Sequence, residues 1–189
     1  MTPSRIFTLC VLLWVASEFG IWLFRRSRQA GSSGTFSVAN LVLWSTIGVA
    51  VYVALRVQRL AFAHIGGSGQ FLLWLGLSVF AVGVFIRWWA ITVLGRFFTS
   101  DLVVQTGHRI VQRGPYRLVR HPSYSGILVC FLGIGLAMYN WLSLVCLLAL
   151  VGAAIIYRIR VEEAMLAKEF GDEYVEYRRR TRQLVPGLF

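Results

Sequence analysis

The chain has 189 residues, is 57% apolar with a mean hydropathy of +0.67, and carries 14% charged residues, against roughly 25% in soluble domains. Its apolar residues gather in blocks near the ~20 that a bilayer-crossing helix needs, which excludes an ordinary soluble domain and gives an all-α, polytopic transmembrane helical bundle in one integral membrane domain. The formal charge of +11 comes from 18 Arg and one Lys, and on so apolar a chain it reads as a positive-inside bias and attraction to anionic headgroups, not as a nucleic-acid surface.

In chain order, the first apolar segment covers about residues 6–24. It carries Glu18 and is followed by no small-x-small cleavage site, so it reads as a span and not a leader. Arg25, Arg26 and Arg28 then form a cytoplasmic stop, and residues 29–37 a flexible loop. The second span covers about 38–57 and ends at Arg56 and Arg59. The glycines at 66, 67 and 69 lack the Lys-Ser/Thr and strand context of a phosphate loop and read as a turn. The third span covers about 71–94. Arg87 near its end is expected to snorkel to the interface as an anchor, with a role at the active site as the secondary reading, beside a Trp88-Trp89 aromatic belt.

A polar loop fills 95–123. Spans four and five, about 124–139 and 141–157, then form a tight hairpin around Asn140. Gly126, Gly133 and Gly135 of the first arm are expected to lie close to Gly152, Ala153 and Ala154 of the second, because small residues let membrane helices approach. The tail, 158–189, reads as an amphipathic cytoplasmic helix. Met165, Leu166, Phe170, Tyr174 and Tyr177 recur at helical spacing, Arg178, Arg179, Arg180 and Arg182 lie near its end, and Pro186 stops it.

Five spans put the termini on opposite sides. The 25–28 cluster, the polar loop and the tail then share one face and hold three, five and seven Lys or Arg residues. The positive-inside rule makes that face cytoplasmic and places the N-terminus outside. The three cysteines sit in apolar blocks, and neither they nor the three histidines have metal-ligand spacing, so no metal is expected.

Polar chemistry concentrates in two places. Arg158 and Glu162 are four apart, hence on one helix face, where they serve either as an interface ion pair or as a fork for an anionic group beside a carboxylate for a cationic one. Residues 108–124 hold His108, Tyr116, Arg117, Arg120, His121, Ser123 and Tyr124, with Pro115 and Pro122 constraining the backbone. Pro122 suits a first helical turn, whose free N–H groups favour an anion.

Gly114-x-Tyr116, the run Arg120-His121-Pro122-Ser123-Tyr124-Ser125-Gly126, the apolar hairpin, Glu162-Glu163, Leu166 and Phe170-Gly171-Asp172-Glu173-Tyr174 together resemble the isoprenylcysteine carboxyl methyltransferase family, over about residues 95–189. The resemblance implies an integral membrane enzyme that uses S-adenosyl-L-methionine. Cofactor contacts would fall on His108, Ile110, Val111, Tyr116, His121, Pro122, Ser123, Tyr124 and Glu162, and Arg158 would face the substrate carboxylate as both catalytic and substrate-binding residue. Residues 95–189 would then be the catalytic region and 1–94 an N-terminal set of three helices without a family signature.

The expected acceptor is a lipophilic, isoprenylcysteine-like carboxylate arriving from the bilayer, and the expected location is a bacterial cytoplasmic membrane with the site on its inner face. A carboxylate is ionised at neutral pH, its ordinary pKa being ~4, and needs no general base. N-methylation of a phospholipid amine is the alternative enzyme, though an ammonium acceptor must lose a proton and sits badly beside Arg158. A non-catalytic scaffold binding anionic lipid and, more distantly, a nicotinamide-dependent sterol reductase complete the alternatives.

Overall fold

The structure, a computed structural model, describes residues 3–28, 38–98 and 110–187. The expected loop at 29–37 and His108 lie outside the described residues. Among the described residues the regular structure is helical: α1 (Pro3–Arg28), α2 (Val38–Val57), α3 (Gly69–Leu94), α4 (Pro122–Ala137), α5 (Trp141–Phe170) and α6 (Asp172–Arg180). Four of these contain stretches long and apolar enough to cross a membrane: Ser4–Ile21, Val38–Val57, Gly69–Leu94 and Trp141–Phe170. The apolar α4 is shorter, at 16 residues.

Local chemistry sets the boundaries. Ser68 caps α3 by accepting from the Phe71 N–H at 3.4 Å, and Asn140 caps α5 by accepting from the Ser143 N–H at 2.9 Å. Pro122 opens α4 where an amide hydrogen would have no helical partner. The expected hairpin forms, turning through Tyr139 and Asn140. Its tip is tied to the 60–67 loop by Asn140 Nδ2 donating to the Leu60 carbonyl at 3.3 Å and by the Tyr139 hydroxyl donating to the Gly67 carbonyl.

The tail differs from the expectation. Helix α5 runs unbroken past Tyr157 to Phe170, because nothing from 158 to 170 interrupts it. Gly171, at φ 52°, ends it in a conformation that L side chains rarely adopt, and the short α6 follows. The helical pattern stops at Arg180, not at Pro186. Beyond it the chain is extended: Arg120 N–H donates to the Arg182 carbonyl (2.7 Å), His121 N–H to the Gln183 carbonyl (3.1 Å), and Arg182 N–H to the Leu118 carbonyl (3.1 Å). Ser125 Oγ adds a 2.6 Å bond to the Leu184 carbonyl. This strap fastens the segment leading into α4 against the end of the chain.

Packing explains a second difference. Gly126 and Gly133 do not face α5. They press on α3, where a Cβ on Gly133 would lie 2.5 Å from the Phe80 nitrogen, and one on Gly126 would lie 2.7 Å from the Arg87 nitrogen. Gly76 and Gly83 answer from α3, so four glycines line the α3–α4 seam. Only Gly135 meets α5, at Leu144, while a Cβ on Gly152 would meet nothing within 4 Å. The remaining core joins Leu43, Ala50 and Ala54 of α2 to Ile127 and Phe131 of α4 and to Leu147, Val151, Ile155 and Ile159 of α5. Ser143 Oγ donates to the Ala54 carbonyl at 2.8 Å, crossing from α5 to α2. Large apolar side chains such as Leu12, Leu13, Tyr52, Phe71 and Phe85 stay exposed, as suits a surface solvated by lipid.

Candidate functional site

One cavity is lined from all six described helices: Glu18 of α1, Asn40 and Leu43 of α2, Arg87 of α3, Ser123 and Tyr124 of α4, Arg158 and Glu162 of α5, and Tyr174 and Tyr177 of α6. It sits where α4 begins, and where α5 leaves the length a bilayer core requires. At 1.5 Å per residue, the 30 residues of α5 reach roughly 45 Å, against a hydrocarbon thickness of ~30 Å.

The polar side chains form three linked sets. In the first, Arg158 Nε donates to the Tyr124 hydroxyl at 2.5 Å, and that hydroxyl donates to Glu162 Oε2 at 2.8 Å. The hydroxyl thus joins Arg158 to Glu162. Arg158 Nη1 donates to Asn40 Oδ1, bringing α2 into the site. In the second, Glu163 Oε1 accepts from Arg120 Nε at 2.9 Å and lies 3.2 Å from His121 Nε2. Arg120 Nη1 also donates to the carbonyls of Thr181 (2.5 Å) and Arg178 (3.2 Å), so one guanidinium ties α5, α6 and the strap to the head of α4. The other face of His121 looks towards Glu162, with Nδ1 3.8 Å from Oε1.

In the third set, Arg87 donates Nε and Nη2 to the two oxygens of Glu18, at 2.9 and 2.7 Å, and Nη1 to Ser123 Oγ at 3.1 Å. Arg87 is 7% exposed. It does not snorkel as expected: the carboxylate of Glu18 lies inward and meets the guanidinium with two charged hydrogen bonds. Trp88 and Trp89 do point outward, at 39% and 44% exposed.

Three tyrosines complete the wall outside the spanning helices. Burial pushes the hydroxyl pKa of Tyr116, Tyr174 and Tyr177 up, so each stays a neutral donor. Tyr177 donates to the Tyr116 carbonyl at 2.8 Å. The Tyr174 hydroxyl is buried and has no hydrogen-bond partner among the described residues.

Of the residues singled out in the sequence, Ile110, Val111, Tyr116, His121, Ser123, Tyr124, Arg158 and Glu162 all line the cavity. Pro122 is fully buried at the first turn of α4 and sets the backbone beside it. His108 lies outside the described residues. Arg120 and Tyr174 also line it; both stood in the quoted motifs without an assigned role. Sequence reasoning missed Asn40, gave Glu18 no site role, and put Arg87 in the site only as its secondary reading. The available signal was an acid in α1 and a base in α3, each alone within an apolar stretch, since intramembrane charges usually face a partner. Among the described residues, no cluster of three His, Cys, Asp or Glu side chains is placed to hold a metal.

Comparisons with known proteins bear on the family and the fold. The family model described as phospholipid methyltransferase matches residues 71–173. The chain is 35% identical over 113 residues to protein-S-isoprenylcysteine O-methyltransferase B of Arabidopsis thaliana, covering 59% of this chain and 57% of that protein. It therefore spans little more than half the length of that curated relative. It is 34% identical over 166 residues to the cobalt-zinc-cadmium resistance protein CzcN of Cupriavidus metallidurans, covering 86% of this chain and 72% of that one. A solved structure of the eukaryotic intramembrane Ras methyltransferase, isoprenylcysteine carboxyl methyltransferase, superposes with a TM-score of 0.53 at 24% identity, covering 82% of this chain and 55% of that one, which is a likeness of fold. The chain is an integral membrane protein and belongs to the family of phospholipid and isoprenylcysteine carboxyl methyltransferases.

Proposed function

We propose that the chain is an S-adenosyl-L-methionine-dependent methyltransferase acting at the membrane interface on the carboxylate of a lipophilic, isoprenylcysteine-like acceptor. The observation that carries this reading is the charge balance of the cavity. Arg87 is matched by Glu18, Arg120 by Glu163, and Arg158 by Glu162 through the Tyr124 hydroxyl. A sulfonium donor adds a positive charge to such a site, and an anionic acceptor cancels it. An ammonium acceptor adds a second positive charge instead.

The residues fit the cofactor. Tyr174 has a buried donor with no partner among the described residues, His121 and Glu162 offer polar edges, and Tyr116 and Tyr177 offer aromatic faces. We assign cofactor contacts to Ile110, Val111, Tyr116, His121, Pro122, Ser123, Tyr124 and Glu162, together with His108. When bound, S-adenosyl-L-methionine supplies the electrophilic methyl group. Arg158 orients the acceptor carboxylate, and Tyr124 and Asn40 orient Arg158. Leu43, Trp44, Ile47 and Ile127 make an apolar wall that admits the lipid tail and strips water from the carboxylate, which strengthens it as a nucleophile. No proton has to be removed from the acceptor, and the buried tyrosines, held neutral, do not compete as bases. The lipid acceptor arrives from the bilayer and the soluble cofactor from the cytoplasm, with the N-terminus outside.

A second reading, N-methylation of a phospholipid amine, is favoured by the description of the matching family model. Transfer of labelled methyl from S-adenosyl-L-methionine separates the two. Base-labile label on N-acetyl-S-farnesylcysteine supports the carboxyl reading. Label retained on phosphatidylethanolamine supports the amine reading, and transfer to neither contradicts both.

A further inference from the structure

Glu18 is the one buried side chain in the described part of α1, and the mechanism above gives it no role beyond balancing the charge of Arg87. Both of its oxygens are taken by Arg87, and both partners are below a tenth exposed. A buried ion pair seldom adds stability over apolar packing of the same volume, because two charges must leave water. Its geometry points to orientation instead. With Nε and Nη2 fixed by Glu18, Nη1 is aimed at Ser123 Oγ, and the guanidinium lies over the Phe98 ring at 5.6 Å. Arg87 thus holds Ser123 while Arg158 holds Tyr124, so consecutive residues at the head of α4 each carry a guanidinium, and all four side chains line the cavity.

We propose that Glu18 is a positioning residue for the acceptor site. It fixes Arg87 as a second cationic wall beside Arg158 and offsets its charge, so that the site suits a single carboxylate. This makes α1 part of acceptor recognition, and it rests on the carboxyl-methylation reading.

The test uses full-length protein in detergent with N-acetyl-S-farnesylcysteine as acceptor, comparing Glu18→Gln, Glu18→Asp, Arg87→Gln and the Glu18→Gln/Arg87→Gln pair. Glu18→Gln is expected to raise the acceptor KM about tenfold while calorimetric affinity for S-adenosyl-L-methionine stays within about twofold. Glu18→Asp should recover part of the loss, and Glu18→Gln should add nothing on the Arg87→Gln background, because the effect runs through Arg87. An unchanged KM, additive losses on that background, or cofactor affinity falling in step with KM would each overturn the proposal. If Glu18→Gln does not fold, Glu18→Asp decides: a raised KM supports positioning and a wild-type KM refutes it. Wild-type protein that methylates no carboxylate sinks the carboxyl reading itself, and the role of Glu18 with it.

Discussion

Arg158 is gripped at two edges before any ligand arrives, by the Tyr124 hydroxyl and by Asn40. Such a guanidinium is an oriented plate, whereas a lysine at the same position would be a point charge on a flexible stem. Arg158→Lys should therefore lower acceptor kcat/KM by roughly 10–100-fold, the worth of one or two charged hydrogen bonds, while cofactor affinity changes much less. Equal losses in both, measured by initial rates and calorimetry, would argue against a substrate role. Tyr124→Phe removes the hydroxyl that joins Arg158 to Glu162, so it should impair acceptor turnover and cofactor binding together. The members of this set were legible in the sequence where spacing is local, as for His121 to Tyr124 or Arg158 to Glu162. Asn40 and Arg158 are 118 positions apart, and Glu18 and Arg87 are 69 apart, so neither pairing leaves a local pattern. Only the order of helix packing brings them together.

Helix positions and the hairpin followed from apolar block length and from Asn140, and the structure retains them. Which helix faces which did not follow, because a glycine is equally small towards any neighbour. Gly126 and Gly133 were matched to α5 by proximity in sequence, yet their open sides meet backbone atoms of α3. The seam predicts a contrast. Gly133→Ala places a methyl 2.5 Å from backbone, which only a shift of α3 relieves, so it should destabilise by about 1–3 kcal/mol. Gly152→Ala meets nothing and should be neutral or stabilising by up to ~1 kcal/mol through helix propensity. Thermal unfolding in detergent reads both, and equal shifts would contradict the packing. The split of the tail at Gly171 escaped the sequence because the apolar period continues across it, from Phe170 to Tyr174 and Tyr177, all of which line the same cavity.

The molecule as a whole places a buried polar site at the end of a lipid-facing bundle and walls it with Tyr116 and with Tyr174 and Tyr177 of α6. That wall titrates. Tyr116, Tyr174 and Tyr177 have hydroxyl pKa values raised by burial, whereas an unfolded tyrosine ionises near ~10. The folded form thus holds its protons more tightly. This contribution to stability is complete below pH ~10 and is lost as pH rises through the folded values. The melting temperature should fall above pH ~10, and Tyr177→Phe should make that fall shallower, though it also removes the bond to the Tyr116 carbonyl, worth about 1 kcal/mol at all pH values. The central claim is that this cavity holds S-adenosyl-L-methionine through Glu162 and the head of α4. Calorimetry on detergent-purified protein tests it most directly, with Glu162→Gln as the paired variant. The account predicts saturable binding by the wild type, weakened at least tenfold in the variant. No binding by folded wild-type protein, or equal affinity in the two, would contradict it.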